Sequence, residues 1–185
     1  MESILNVYAV GIGKIYRFLI LHLLWLFFTL LGCIIFGLFP ACYALLKTMK
    51  KPTDLGAKAY FHVFLKSYKT AFLKINQAAI IWLTMFGLMS MNLFIFHNGS
   101  IFVQLGIMGM LLLMVLCLIY FFQYFTLCET IIKQIRRSFG YVFMYPKKNI
   151  IYMCVIFGCI LALQFSPGVS VFFFSSVVAH FIVNS

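Results

Sequence analysis

Uninterrupted apolar runs alternate with lysine-rich segments along this chain of 185 residues. The first run, residues 18–39, carries no formal charge, and as one helix it would be about 33 Å long, enough to cross the hydrocarbon of a membrane. Backbone groups in lipid must pair within their own segment, so continuous apolar runs of this kind indicate helices. The runs predict spans near residues 18–39, 78–96, 101–128, 149–165 and 169–183.

The predicted fold class is all-α: a polytopic membrane helical bundle with about five transmembrane helices and an amphipathic helix on the cytoplasmic side. No composition shift separates a second domain, so residues 1–185 are expected to form a single membrane domain. Residues 1–17 carry apolar side chains at helical spacing and predict an interfacial arm before the first span.

Cations gather in two polar segments. Residues 47–76 contain seven lysines, and residues 129–148 contain five lysines and arginines. Because Lys and Arg are retained on the cytoplasmic side, both segments are predicted to be basic inner loops. Five spans then place the N-terminus outside and the C-terminus inside. Lys14 and Arg17 would lie outside in this orientation, on the side that the positive-inside rule disfavours.

The first basic loop contains a predicted amphipathic helix that starts near Ala57. Its apolar residues recur at helical spacing, while most of its lysines take other faces. Such a helix either lies along anionic headgroups or offers a docking face to a partner protein, and both interpretations stay open. The candidate docking residues are Phe61, Phe64, Tyr68, Phe72, Lys66 and Lys69.

Two groups of residues indicate local packing or turning. The fourth span carries small residues at i, i+4 and i+8, which permits close contact with another helix. These candidate packing residues are Cys154, Gly158 and Ala162. A short motif at the end of the first span is expected to close that helix and turn the chain. Its residues are Gly37, Pro40 and Ala41.

Composition and charge fit a membrane protein. The chain is 65% hydrophobic and 9% charged, far from the composition of soluble domains. A net charge of +11 would suggest nucleic acid as the partner of a soluble protein, but here the cations lie between spans and face anionic headgroups. The predicted partners are therefore the lipid bilayer and another membrane protein, with no nucleic acid.

Few residues are available for chemistry. The four histidines are scattered and there are only three acidic residues, so the sequence predicts no metal-ligand cluster, catalytic set or cofactor. We therefore expect a protein that is not an enzyme. One of the acids, Glu129, stands four residues before Lys133, and this spacing predicts a helical ion pair.

Two stretches carry a resemblance to a known family: IYRFLILHLLWLFFTLLGCIIFGLFPACYALLK, and the lysine-rich VFLKSYKTAFLKINQAAII. Together they resemble the YesL-like family of bacterial integral membrane proteins, over roughly the first eighty residues of the chain. The resemblance is carried mainly by Tyr16, Leu24, Trp25, Gly37, Phe39, Pro40, Ala41, Phe64, Tyr68, Phe72 and Asn76.

The resemblance implies a five-span protein of the bacterial plasma membrane, often encoded beside carbohydrate importers. The first functional hypothesis is therefore a non-enzymatic auxiliary subunit that associates with a carbohydrate ABC importer. The alternative is a small stand-alone transporter or solute-binding membrane component, which should enclose a polar cavity. Identification of what co-purifies in a gentle detergent distinguishes the two hypotheses.

Overall fold

All regular secondary structure in the described residues is α-helical. The computed structural model describes residues 2–52, 56–96, 99–165, 179 and 181–183. Within these ranges the helices are α1 (Glu2–Leu31), α2 (Ile35–Met49), α3 (Ala57–Ile95), α4 (Ile101–Gln123), α5 (Ile131–Met144) and α6 (Pro146–Phe165). The same ranges contain no β-strand. The predicted all-α class is therefore confirmed.

Two of these helices are long and apolar enough to cross a membrane: Ala57–Ile95 and Ile101–Gln123. α3 has 39 residues and so extends far beyond the predicted span at 78–96, because it also includes the lysine-rich half. The predicted fifth span, 169–183, lies outside the described residues except for 179 and 181–183. The predicted interfacial arm, 1–17, is not a separate helix, because α1 runs without a break from Glu2 to Leu31.

The prediction of one continuous helix over residues 18–39 is wrong. α1 ends at Leu31, Cys33 and Ile34 adopt positive φ angles of 55° and 63°, and α2 begins at Ile35. The apolar run hides this break because the turn contains no polar residue. A turn of this kind needs close backbone approach, and two glycines provide it.

Gly32 and Gly37 allow α1 and α2 to touch beside the turn. A Cβ atom added to Gly37 would lie 2.8 Å from the Phe28 carbonyl oxygen, and one added to Gly32 would lie 2.6 Å from the Gly37 nitrogen. Distances below 3 Å are too short for a real Cβ contact, so a side chain at either position would push the helices apart.

The described residues within 1–72 and 152–185 form one compact unit, and those within 73–151 form a second. In the first unit, α1 packs against α2 and presents Phe28 to the aromatic residues of α3. In the second unit, α4 packs against α5. There the Trp82 ring lies 6.0 Å from the Phe121 ring and 6.3 Å from the Phe139 ring.

Candidate functional site

One arginine joins the start of the apolar run in α1 to the C-terminal end of α2. Arg17 is buried, and its Nη2 donates hydrogen bonds to the carbonyl oxygens of Thr48 at 3.4 Å, of Lys51 at 2.9 Å and of Met49. The last carbonyls of a helix have no partner within it and carry the negative end of the helix dipole. Arg17 therefore caps the C-terminus of α2.

Three contacts at successive heights show that α1 and α2 are antiparallel. Arg17 meets the end of α2, Trp25 Nε1 donates to Cys42 Sγ at 3.4 Å near its middle, and Gly32 meets Gly37 at the turn. The two helices form a hairpin, which we define as residues 17–51. Its base is the open end at Arg17 and Lys51, and its tip is residues 30–36.

Cations surround the base of the hairpin. Lys47, Lys50 and Lys51 are exposed there, close to the buried Arg17. Partial burial of the ammonium group and the neighbouring charge of Lys47 both lower the pKa of Lys50. The base therefore concentrates positive charge.

The tip has the opposite character. Its large apolar side chains are more than half exposed, namely Leu30, Leu31, Ile34, Ile35 and Phe36. Its backbone is paired internally: the N–H groups of four consecutive residues, 32–35, all donate to backbone carbonyl oxygens. The hairpin is thus charged at one end and entirely apolar at the other.

The predicted first-span motif lies in α2 and not at a turn. The chain turns earlier, at residues 32–34, and Gly37, Pro40 and Ala41 are buried within α2. The prediction that this motif closes the first span is therefore wrong. Its glycine serves the close approach of α1 and α2 described above.

The predicted docking aromatics divide into buried and accessible residues. Phe64 and Tyr68 are buried, with their rings 5.1 and 4.9 Å from the Phe28 ring, and the Tyr68 hydroxyl donates to the Phe28 carbonyl oxygen at 3.2 Å. Phe72 is partly buried with its ring 5.4 Å from the Tyr68 ring, and Phe61 is 42% exposed. Phe64 and Tyr68 therefore hold α3 against α1 and are not open to a partner.

The predicted cationic candidates are accessible. Lys66 and Lys69 are exposed and share one side of α3 with Lys58 and His62, at positions i, i+4, i+8 and i+11. We call these four residues the lysine face. Because the aromatic side of α3 packs on Phe28, the lysine face is directed away from that contact.

The second basic segment is organised around Gln134, which the sequence analysis did not single out. Its side chain is buried, accepts a hydrogen bond from the Thr126 N–H at 3.0 Å, and donates to the carbonyl oxygens of Thr126 at 2.9 Å and Glu129 at 3.0 Å. A glutamine five residues after the start of the basic segment 129–148 gives no sequence signal of this role. The bonds fix the connection between α4 and α5.

The predicted Glu129–Lys133 pair is replaced by another ion pair. Glu129 Oε2 lies 2.8 Å from Arg137 Nη1, and Arg137 Nη2 also donates to the Tyr124 carbonyl oxygen at 3.0 Å. The i,i+4 rule does not apply here because α5 begins at Ile131, so Glu129 lies before the helix.

The predicted packing residues of the fourth span make no close helix contact where they are described. Cys154 and Gly158 are exposed, and a Cβ atom at Gly158 would meet nothing within 4 Å. The side chain of Ala162 lies outside the described residues. Among the described residues, no three His, Cys, Asp or Glu side chains are grouped as metal ligands.

Comparison with known families adds one finding. Residues 18–93 match the family model described as "Protein of unknown function, DUF624". The DUF624 match begins one residue after Arg17 and ends near the end of α3, so it covers the hairpin and the lysine face but less than half of the chain. It is consistent with the resemblance to YesL-like proteins. No curated protein and no solved structure matches the chain.

Proposed function

We propose that this chain is a non-enzymatic, multi-pass protein of the bacterial plasma membrane that acts as an auxiliary subunit of a carbohydrate ABC importer. The resemblance to the YesL-like family, with its neighbouring importer genes, supplies the partner class. The DUF624 match over the same residues supports a shared N-terminal module.

The observation that carries the proposal is the fixed presentation of the lysine face. Phe64 and Tyr68 lock the first half of α3 onto Phe28, so Lys66 and Lys69 project from a helix that is already ordered. A preorganised surface loses little conformational entropy when it binds. A regular row of cations suits an acidic cytoplasmic surface of a transport subunit.

The hairpin also bears on orientation. The bond between Arg17 and Lys51 places the end of the N-terminal segment beside the first basic loop. We propose that Arg17 and both basic loops face the cytoplasm, as the positive-inside rule favours, and that Gly99 lies outside. The expectation of an outside N-terminus depends on one crossing by residues 18–39, whereas in the proposed orientation the hairpin begins and ends on the same side of the membrane.

Co-purification from gently solubilised native membranes tests the partner. Wild-type protein should retain an importer subunit, while the double variant Lys66→Glu and Lys69→Glu should lose it, because reversal of two adjacent charges repels an acidic surface. Lys133→Glu is the matched control, since Lys133 is exposed on α5 and is expected to leave the complex intact. If wild-type protein retains no transport subunit, or if both variants retain it equally, the proposed docking surface is wrong.

One buried residue favours the alternative of a stand-alone transporter or solute-binding component. Asn76 is 8% exposed, and neither atom of its side-chain amide has a hydrogen-bond partner among the residues that the structure describes. Buried amides are nearly always paired, so an unpaired one is a candidate contact for a polar solute. In proteoliposomes, a transporter that uses Asn76 should lose solute flux in Asn76→Leu, whereas the auxiliary subunit should show no flux of its own in either form.

A further inference from the structure

We propose that the junction of α5 and α6, which we define as residues 144–150, binds the headgroup of an anionic phospholipid, with Lys147 and Lys148 contacting its phosphate. The ligand class is a phosphodiester that carries a net negative charge and is attached to acyl chains. This inference rests on the proposed membrane location. It goes beyond the proposed importer partner, because a lipid site needs no other protein.

The charge of the unit that contains the junction is strongly unbalanced. Residues 73–151 contain six lysines and arginines and a single acid, Glu129. The Glu129 carboxylate lies 2.8 Å from the Arg137 guanidinium, so it is already engaged away from the junction. Lys147 and Lys148 follow each other in the first turn of α6, where the helix dipole adds further positive potential. This surface therefore favours an anion.

The first turn of α6 is held in place by its neighbours. Asn149 Oδ1 accepts a hydrogen bond from the Tyr120 hydroxyl at 2.9 Å, and Asn149 Nδ2 donates to the Val142 carbonyl oxygen at 2.6 Å. These bonds tie α6 to α4 and to α5. Lys148 Nζ lies 5.4 Å from the centre of the Tyr145 ring, within the range of a cation–π interaction. Because the cation is already positioned, it loses little conformational entropy when it binds a headgroup.

A row of tyrosine rings supports this cation–π contact. The Tyr141 ring lies 4.7 Å from the Tyr124 ring and 6.0 Å from the Tyr145 ring. Tyr145 is 37% exposed. Tyrosine is enriched where a membrane meets water, because its ring is apolar and its hydroxyl is polar. The exposed edge of the row thus has the chemistry of a bilayer surface.

The junction also lies at the level expected for a bilayer surface. From Ile101 to Tyr120, α4 rises about 28 Å, close to the hydrocarbon thickness of about 30 Å. Since Tyr120 bonds to Asn149, the first turn of α6 lies about one hydrocarbon thickness from the start of α4. Lys74 donates to the Leu127 carbonyl oxygen at the same end of α4. In the proposed orientation, this end meets the cytoplasmic leaflet.

Apolar side chains beside the lysines favour a lipid over a soluble anion. Met144 is 65% exposed and Ile150 is 63% exposed, one on each side of the lysines in the sequence. Contact with acyl chains removes this apolar area from water. A soluble phosphate would neutralise the lysines and leave the apolar surface in water, whereas a phospholipid covers both.

Lipid binding to the delipidated full-length protein in detergent tests the site. The protein is titrated with phosphatidylglycerol or with phosphatidylcholine, and native mass spectrometry measures the lipid that stays bound. A detergent micelle has no anionic surface, so a retained lipid reports a site and not the general attraction of cations to a bilayer. Wild-type protein should bind phosphatidylglycerol more tightly than phosphatidylcholine.

Three variants assign the binding to the junction. Lys147→Gln combined with Lys148→Gln should lower the phosphatidylglycerol affinity about 25-fold, from about fivefold for each cation removed. Lys147→Arg combined with Lys148→Arg keeps both charges and should retain the lipid. The matched control is Lys133→Gln combined with Arg136→Gln, which removes the same charge from the exposed side of α5 and should leave the affinity unchanged.

Several results would overturn the site. They are equal affinity for the two lipids, equal loss in both glutamine pairs, and displacement of phosphatidylglycerol by an excess of inorganic phosphate. The last result would show a site for a soluble anion. These outcomes are independent of the importer, whose co-purification tests the proposed function separately.

A measurement on the wild-type protein covers the case in which the variants fail to fold. Phosphatidylglycerol with a photoactivatable group near the headgroup is incorporated into vesicles that contain the protein, and mass spectrometry maps the adducts. The proposal predicts adducts on residues 144–150. Their absence there would show that another molecule, such as an acidic protein, covers the junction. Release of the protein from native membranes by alkaline carbonate would overturn the membrane location together with the lipid site.

Discussion

The guanidinium group of Arg17 donates a hydrogen bond to the carbonyl oxygen of Lys51 at 2.9 Å, across 34 positions of the sequence. This bond joins the residue before the first apolar run to the second residue after α2. It brings the cations on both sides of the run to one end of the hairpin. In the proposed orientation the positive-inside rule is satisfied at both positions, whereas a single crossing between them would violate it at one.

Arg17 is expected to stabilise the hairpin through its bonds to the end of α2. Arg17→Ala should lower the free energy of unfolding by about 2 kcal/mol, because hydrogen bonds to a charged donor are lost and the final carbonyls of α2 remain buried. Thermal unfolding in mild detergent measures the change. Arg136→Ala is the control, since Arg136 is exposed on α5, and an equal loss in both variants would contradict the capping role.

Gly37 is expected to tolerate no side chain. Gly37→Ala places a Cβ atom 2.8 Å from the Phe28 carbonyl oxygen, so α1 and α2 must separate, and overpacking of this kind costs about 1–3 kcal/mol. Gly109→Ala in α4 is the matched control because nothing lies within 4 Å of its Cβ position. A lower melting temperature only for Gly37→Ala supports the tight hairpin, and unchanged melting for both variants argues against it.

Phe64 is expected to act in folding and not in partner recognition. It is fully buried against Phe28, so Phe64→Ala should cost about 3–5 kcal/mol and reduce the amount of protein in the membrane. Phe143→Ala should have little effect because that ring is 74% exposed. If Phe64→Ala keeps the wild-type abundance and melting temperature but no longer co-purifies a partner, Phe64 is a docking residue after all.

Gln134 is expected to fix the connection between α4 and α5. Gln134→Ala removes three hydrogen bonds and leaves the Thr126 N–H without its acceptor, which should cost about 1–3 kcal/mol. Amide hydrogen exchange at residues 124–130 should accelerate in this variant. Lys133→Ala, an exposed neighbour, should leave the exchange unchanged, and slow exchange in both variants would refute the role of Gln134.

The helical class follows from the sequence because apolar runs in lipid leave few alternatives to helices. The amphipathic spacing of residues 61–75 likewise indicates that Phe64 and Tyr68 share a face. Spacing alone does not show which residue packs against that face. In the structure Phe64 and Tyr68 pack against Phe28, a residue distant in sequence. For this reason Phe64 and Tyr68 were misassigned as docking residues, while Lys66 and Lys69 are exposed as the spacing predicts.

The hairpin was missed for a different reason. Hydropathy measures whether a segment is apolar, and residues 30–36 are apolar whether they continue a helix or turn it back. Gly32 and Gly37 were the local signals of close approach, but glycine is common in membrane helices. The position of Arg17 was the stronger signal of a hairpin. A single crossing by residues 18–39 would put this cation on the outer side, against the positive-inside rule, whereas a hairpin would not.

A single proximity measurement separates the hairpin from a continuous first span. Trp25 contacts Cys42 across the hairpin, whereas in one continuous helix these residues would be about 25 Å apart. Trp25→Cys, with Cys42 as the remaining native cysteine, is oxidised in native membranes with copper phenanthroline, which takes two electrons from a neighbouring thiol pair to form a disulfide, and after removal of the oxidant the denatured protein is treated with a maleimide that adds polyethylene glycol. The hairpin predicts that both thiols are linked and that the denatured protein takes up no polyethylene glycol. Addition of two polyethylene glycol chains, as expected also for the unlinked reference pair Trp25→Cys and Gly99→Cys, would contradict it.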